Sequence, residues 1–211
     1  MRAAAVLCLA LLAPPAAAQE YPALHSVTGV AADDVLNIRS APSASAAIIG
    51  TLAPDQTGVE VILADGSGKW GLVNSGEQSG WASLRYLDRA SSSNWHDQPD
   101  LALECFGTEP FWSLTLDETV RFSTPDRPET PFALEAWEPA AGHGGKSGFV
   151  AVNQNGGALS GPEAGSLSGI LTAQHCSDGM SDRTYGISID LLQFRSAGQL
   201  HVLTGCCSLA P

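Results

Sequence analysis

Residues able to do chemistry are plentiful in this chain, but few stand at the spacing a reaction needs. Glu104, Glu109, Glu135, Glu138, Asp178 and Asp182 could supply the carboxylate pair of a glycoside hydrolase, one as acid and one as base or nucleophile. Any acidic chain offers such pairs, and no spacing here singles one out. The histidines His25, His96, His143, His175 and His201 form no H-E-x-x-H unit or similar pairing. His175 stands beside Cys176, yet no C-x-x-C unit accompanies them, so zinc is not expected. There is no G-x-S-x-G elbow, no Ser-His-Gly-Cys segment, and no cysteine at a helix start with a histidine in reach. The expectation is no metal, no cofactor and no catalysis.

The cysteines point to structure instead. Arg2, the apolar run Ala3 to Ala13, then Pro14, Pro15 and Ala16 to Ala18 form the pattern of a secretory leader cut after Ala18. The run is shorter than the roughly 20 apolar residues a bilayer span needs. Cys8 follows Leu7, where a lipid-anchor signal wants a small residue, so it leaves with the leader. The expected product is periplasmic or secreted and keeps Cys105, Cys176, Cys206 and Cys207, an even set that reads as two disulfides in an oxidising compartment. Neighbours such as Cys206 and Cys207 cannot easily reach disulfide geometry. Cys105 and Cys176 are therefore each expected to bond one of the C-terminal pair, with both pairings open, and folding is expected to require oxidation.

The formal charge of −12 becomes more negative once Arg2 is removed, and the acidic residues are scattered rather than blocked. Nucleic acid and anionic lipid both need clustered Lys and Arg, so neither is an expected partner.

Elements that would position any site are short strands. Val35 to Arg39, Ile48 to Leu52, Val59 to Leu63, Trp70 to Val73 and Gly80 to Ala82 alternate with Gly, Pro, Ser and Asp, which predicts a small antiparallel barrel. Leu36 and Ile38 fall on one face of their strand, Asn37 and Arg39 on the other. The segment Asn74 to Ser79 reads as a polar, flexible loop. Ala90 to Asn94 reads as a linker, with Trp95 to Asp100 continuing it. Beyond it, Trp112, Leu114 and Leu116 alternate with polar residues, as do Ile187, Ile189 and Leu191. Further strands are expected at Val120 to Phe122, Phe132 to Ala136, Phe149 to Val152, Gly165 to Thr172 and Gln199 to Leu203, with turns at Ala141 to Gly148 and Gln154 to Gly157. Seven or so strands make a barrel or sandwich. The predicted fold is all-β: an SH3-like barrel over residues 21–89, a linker over 90–100, and a disulfide-stapled antiparallel β-barrel or sandwich over 101–211.

Leu36-Asn37-Ile38-Arg39-Ser40-Ala41-Pro42, Ile49-Gly50-Thr51-Leu52, Lys69-Trp70-Gly71-Leu72-Val73 and Gly80-Trp81-Ala82, in that order over about fifty residues, resemble the bacterial SH3 domain family. That resemblance implies a binding module directed at cell-wall peptide or an envelope protein, without catalysis of its own. Cys105-Phe106-Gly107-Thr108-Glu109-Pro110-Phe111-Trp112, Cys176 to Tyr185 and Gly205-Cys206-Cys207 are similar to a family of uncharacterised bacterial exported proteins and lipoproteins, which implies a fold and an exported address but no reaction.

Trp70, Trp81 and Tyr86 are the candidates for an aromatic shelf. Trp81, following Gly80, has the stronger expectation of burial in the core. Arg39, with Asn37 on the same face, can meet a ligand carboxylate or bridge to Asp33, Asp34 or Asp88. Glu109, Asp182 and Arg183, with Asp178, flank the cysteines and are the second set of candidates, although turn hydrogen bonds and local pairing are the commoner use of such residues. The function expected is a periplasmic binding or adaptor protein. The alternatives are a cell-wall enzyme using paired carboxylates, and an envelope inhibitor or stability factor.

Overall fold

The structure, a computed structural model, describes residues 20–91, 93–97, 102–153, 165–195 and 199–210. The leader expected at residues 1–18, the Gln154 to Gly157 turn and parts of the 90–100 linker lie outside the described residues.

Sixteen strands appear among them. The N-terminal part holds β1 (Ala23–Val27), β2 (Leu36–Arg39), β3 (Ile48–Leu52), β4 (Val59–Val61), β5 (Leu63–Ala64), β6 (Trp70–Ser75), β7 (Gln78–Ser83) and β8 (Leu87–Arg89). They form a three-stranded sheet, β4-β1-β8, and a five-stranded sheet, β3-β2-β7-β6-β5. Alternation drives both: Leu36 and Ile38, Val59 and Val61, and Val73 and Ala82 turn inward to a shared core with Val27, Leu52 and Leu87. The strands expected at Val35 to Arg39, Ile48 to Leu52, Val59 to Leu63, Trp70 to Val73 and Gly80 to Ala82 are present as β2, β3, β4 with β5, β6 and β7, with small shifts of boundary. Strands β1 and β8 were not anticipated. In β1 the buried positions are Ala23, His25 and Val27, so a fully buried histidine interrupts the apolar pattern. Burial keeps the His25 ring below its ordinary pKa, although its Nδ1 lies 2.9 Å from the Ala23 carbonyl oxygen.

The C-terminal part is β9 (Leu103–Thr108), β10 (Phe111–Leu116), β11 (Val120–Thr124), β12 (Arg127–Pro139), β13 (Lys146–Asn153), β14 (Gly165–Cys176), β15 (Tyr185–Arg195) and β16 (Leu200–Leu209). Each pairs antiparallel with the next, and β16 returns to β9, closing an eight-stranded barrel. The architecture is thus a barrel rather than a sandwich. Its interior is filled by Leu103, Trp112, Leu114, Leu167, Leu171, Ile187, Ile189 and Leu191, each nearly or fully buried. Every such side chain contributes about 1.5–3 kcal/mol of apolar burial. Outward positions mix the polar Glu104, Arg121, Asp190 and His201 with exposed apolar side chains such as Val150, Ile170, Phe194 and Val202. No helix among the described residues is long and apolar enough to cross a membrane.

Two disulfides resolve the open pairing. Cys105 bonds Cys207, its direct cross-strand neighbour, facing the barrel core, and Cys176 at the end of β14 bonds Cys206. Trp95, within the stretch read as a linker, is buried against the barrel core, and the Trp137 indole donates to the His96 carbonyl at 3.0 Å.

Candidate functional site

Two surfaces gather the residues of interest. The first begins at Asp65, whose carboxylate accepts hydrogen bonds from the Ser67 hydroxyl at 2.6 Å and from the Lys69 and Trp70 N–H groups at 2.9 Å each. The Ser67 hydroxyl and the Trp70 N–H hold this exposed carboxyl down at about 2. The turn so fixed delivers Trp70 to the start of β6 with its side chain on the face opposite Gly71 and Val73, both buried. Strand β7 pairs with Leu72 opposite Trp81, and Trp81 in turn pairs with Arg39 of β2. Asn37 lies two residues before Arg39 on the same face. Asn37, Arg39, Trp81, Leu72 and Trp70 therefore form one half-exposed strip across three adjacent strands of the five-stranded sheet.

This corrects the expectation for Trp81. Its neighbours Gly80 and Ala82 are the residues that turn inward, so alternation leaves the indole half-buried on the outer face. Arg39 donates from Nη1 to the Ala46 carbonyl at 2.8 Å, which splints it along the strip, and it makes no ion pair with Asp33, Asp34 or Asp88 among the described residues. Tyr86 lies outside the strip, in the 3-10 turn Leu84–Tyr86, where its ring packs on the first core and the Arg85 guanidinium sits 5.6 Å from its centroid.

The second surface is a groove of about 790 Å³ between the β9–β10 turn and the β14–β15 connection, adjoining a recess of about 660 Å³. Glu109 is on its rim, exposed. Asp178 organises the connection: its carboxylate accepts from the Met180 and Ser181 N–H groups at 2.9 Å each and from the Ser181 hydroxyl at 2.8 Å. Burial opposes the charge, but these bonds outweigh it and hold Asp178 below the usual carboxylate range. The Thr108 hydroxyl ties the Asp178 carbonyl to β9 at 3.1 Å.

The polar segment Asn74 to Ser79 is not a flexible loop. Strands β6 and β7 run on through it to a two-residue turn at Gly76 and Glu77, with Gly76 at φ +59°, where a side chain would be strained. This hairpin docks on the second barrel. The Asp182 N–H donates to the Glu77 carbonyl at 2.9 Å and the Ser79 N–H to the Asp182 carbonyl at 3.2 Å. Asn74 Nδ2 donates to the Thr184 carbonyl at 2.9 Å, and the Thr184 N–H donates to Ser79 Oγ at 2.8 Å. Asp182 thus serves the seam through its backbone. Arg183, half-buried, stacks its guanidinium 5.3 Å from the Tyr185 centroid and lines a separate cleft of about 210 Å³ with Glu60. Glu109, Asp182 and Arg183 are consequently not brought into one site.

Sequence reasoning missed Phe106, Phe111 and Met180 on the groove and Glu77 on the adjoining recess. Phe111 had a signal: with Trp112, Leu114 and Leu116 facing inward, the residue before Trp112 must face out, and it is 54% exposed. Among the described residues no three His, Cys, Asp or Glu side chains converge as a metal set.

No curated protein and no solved structure is significantly similar to the chain. The exported-protein resemblance read from Cys105 to Trp112 has no counterpart in these comparisons. Residues 34–88, which contain every strand of the strip, match the bacterial SH3 domain family.

Proposed function

We propose that the protein is an exported, non-enzymatic binding protein of the cell envelope, whose SH3-like unit takes cell-wall peptide on the strip formed by Asn37, Arg39, Trp81 and Trp70. The observation that carries the reading is that strip: two half-exposed indoles and a splinted guanidinium on one face of a module matching a binding family. Flat aromatic rings give contact area at low entropic cost, and a fixed guanidinium reads a carboxylate such as a peptide terminus. Two disulfides agree with an oxidising compartment outside the cytoplasm. The docked hairpin makes the second barrel a rigid extension of this module, consistent with an adaptor holding two ligands at a fixed separation.

The test is cosedimentation of the oxidised protein with purified sacculi, comparing wild type with Trp70→Ala, Trp81→Ala and Arg39→Ala. Wild type is expected in the pellet, with each tryptophan variant retained about tenfold less, the loss typical of an aromatic anchor. Equal retention of wild type and all three variants, or none of any, would overturn the reading.

A further inference from the structure

We propose that the groove between the β9–β10 turn and the β14–β15 connection binds an extended basic peptide segment that also carries apolar side chains. The inference is independent of wall recognition by the first unit.

The groove and the recess beside it share Phe106, Gly107, Thr108, Phe111, Asp178 and Met180, so they form one continuous trough. Either part alone is of the size that encloses a small ligand, and together they suit a chain. Phe111 is 54% exposed and Met180 is 70% exposed, one on each bank. Both are large apolar side chains left in water, and methionine adapts its shape to varied apolar partners.

Charge selects the occupant. The ionisable residues lining the trough are Glu77, Glu109, Asp178 and Asp190, with no Lys, Arg or His among them. Asp178 is held in its charged form by the hydrogen bonds that shape the loop. A ligand bearing lysine or arginine between apolar residues complements both features.

The backbone of such a ligand also has a partner. Trp112 is 3% exposed and lines the recess, yet its indole Nε1 has no hydrogen-bond partner. The ring lies against Gly107, where a Cβ would collide with Nε1 and with the Thr204 carbonyl, so only a glycine lets the indole pack there. A buried donor without an acceptor is costly, and a peptide carbonyl would satisfy it once the ligand displaces the groups that now cover Nε1. The trough is already stiff: the Cys176–Cys206 disulfide and the Thr108 to Asp178 bond fix its base, which lowers the ordering cost of binding. Glu77 reaches it from the first unit, held there by the pairing with Asp182, so hairpin docking completes the site.

The experiment is fluorescence anisotropy on the oxidised full chain with labelled acetyl-Lys-Phe-Lys-Leu-Lys-Phe-amide. Two control peptides replace Lys by Glu, or Phe and Leu by Ser. Saturable binding of the first peptide alone is expected. Phe111→Ser with Met180→Ser should weaken it more than about tenfold, as loss of two apolar contacts predicts, and Glu109→Gln with Asp190→Asn about fivefold, as loss of two exposed charges predicts. All four positions are solvent-facing, and far-UV and near-UV circular dichroism checks the folds. Glu135→Gln with Glu138→Gln, on β12 and lining neither recess, should leave affinity unchanged. Absence of binding, equal binding of the Glu peptide, or equal weakening by the β12 pair, which would mark attraction to net charge alone, would each overturn the proposal. Failure of the sacculus experiment leaves these outcomes unaffected, because Trp70 and Trp81 line neither recess.

Discussion

Glu60 shows how one residue at a seam couples the two units to acidity. On β4 it accepts a hydrogen bond from the Leu209 N–H of β16 at 3.0 Å and faces Arg183. Burial outweighs both and pushes its carboxyl up to about 7, from an ordinary 4.5. The folded protein thus keeps a proton that the unfolded chain releases. The stability this group contributes is complete below about pH 4.5 and is lost as pH rises through 7. Replacing Glu60 by Gln should remove that limb, so the wild type loses on the order of 3 kcal/mol relative to the variant between pH 4.5 and 8. Urea midpoints at the two pH values measure it, and parallel profiles would contradict it. His25 titrates in both proteins and cancels in the comparison, and Asp65, held at about 2, is ionised across the window.

Among elements, the hairpin β6–β7 carries the largest share of the seam's hydrogen bonds. Asn74 is its hub: Nδ2 serves Thr184, while Oδ1 accepts from the Ser79 hydroxyl at 2.7 Å and from the Thr184 N–H at 3.3 Å. Asn74→Ala leaves the Thr184 carbonyl without that donor and should cost about 1–3 kcal/mol. Amide exchange at residues 177–184 should accelerate while exchange at Ile187 to Leu191 stays slow, and uniform acceleration would show global destabilisation instead of undocking. This element also marks the limit of what local pattern reveals. Period-two alternation exposes β2, β6 and β10, and it places Asn37 with Arg39 and Phe111 opposite Trp112. It cannot reveal that Gln78 bridges Asp182, because that contact joins backbones about a hundred residues apart and asks nothing of side-chain type. For the same reason the seam residues read as a loose loop. Strand β1 escaped because a buried histidine stands where the apolar period wants Val or Ile, and β8 because three residues carry no period at all.

At the scale of the whole molecule, two filled cores are held together by a backbone bridge, by Leu24 packing on the second core, and by Glu60, whose carboxylate accepts from the Leu209 N–H at 3.0 Å. Among the described residues both cores are filled by side chains, so ligands are expected on the outer strip and in the trough rather than inside a barrel. The bond between Cys105 and Cys207 joins the first and last strands of the closed barrel across 102 positions of sequence. In the loop-entropy account such a closure stabilises by about 4–5 kcal/mol. It has a mechanical counterpart. Tension applied at the two ends of the oxidised chain passes through that covalent link and bypasses the strands between, which can lose their hydrogen bonds without lengthening the tether. Reduction should release this hidden length, adding roughly 350 Å of contour for 102 residues. A single-molecule stretching trace before and after thiol treatment reads it directly, and an unchanged contour would mean that the load runs through the sheet. Under load on the oxidised protein, residues between Cys105 and Cys207 thus add no length, and any extension has to come from the first unit and the segment that leads to Cys105.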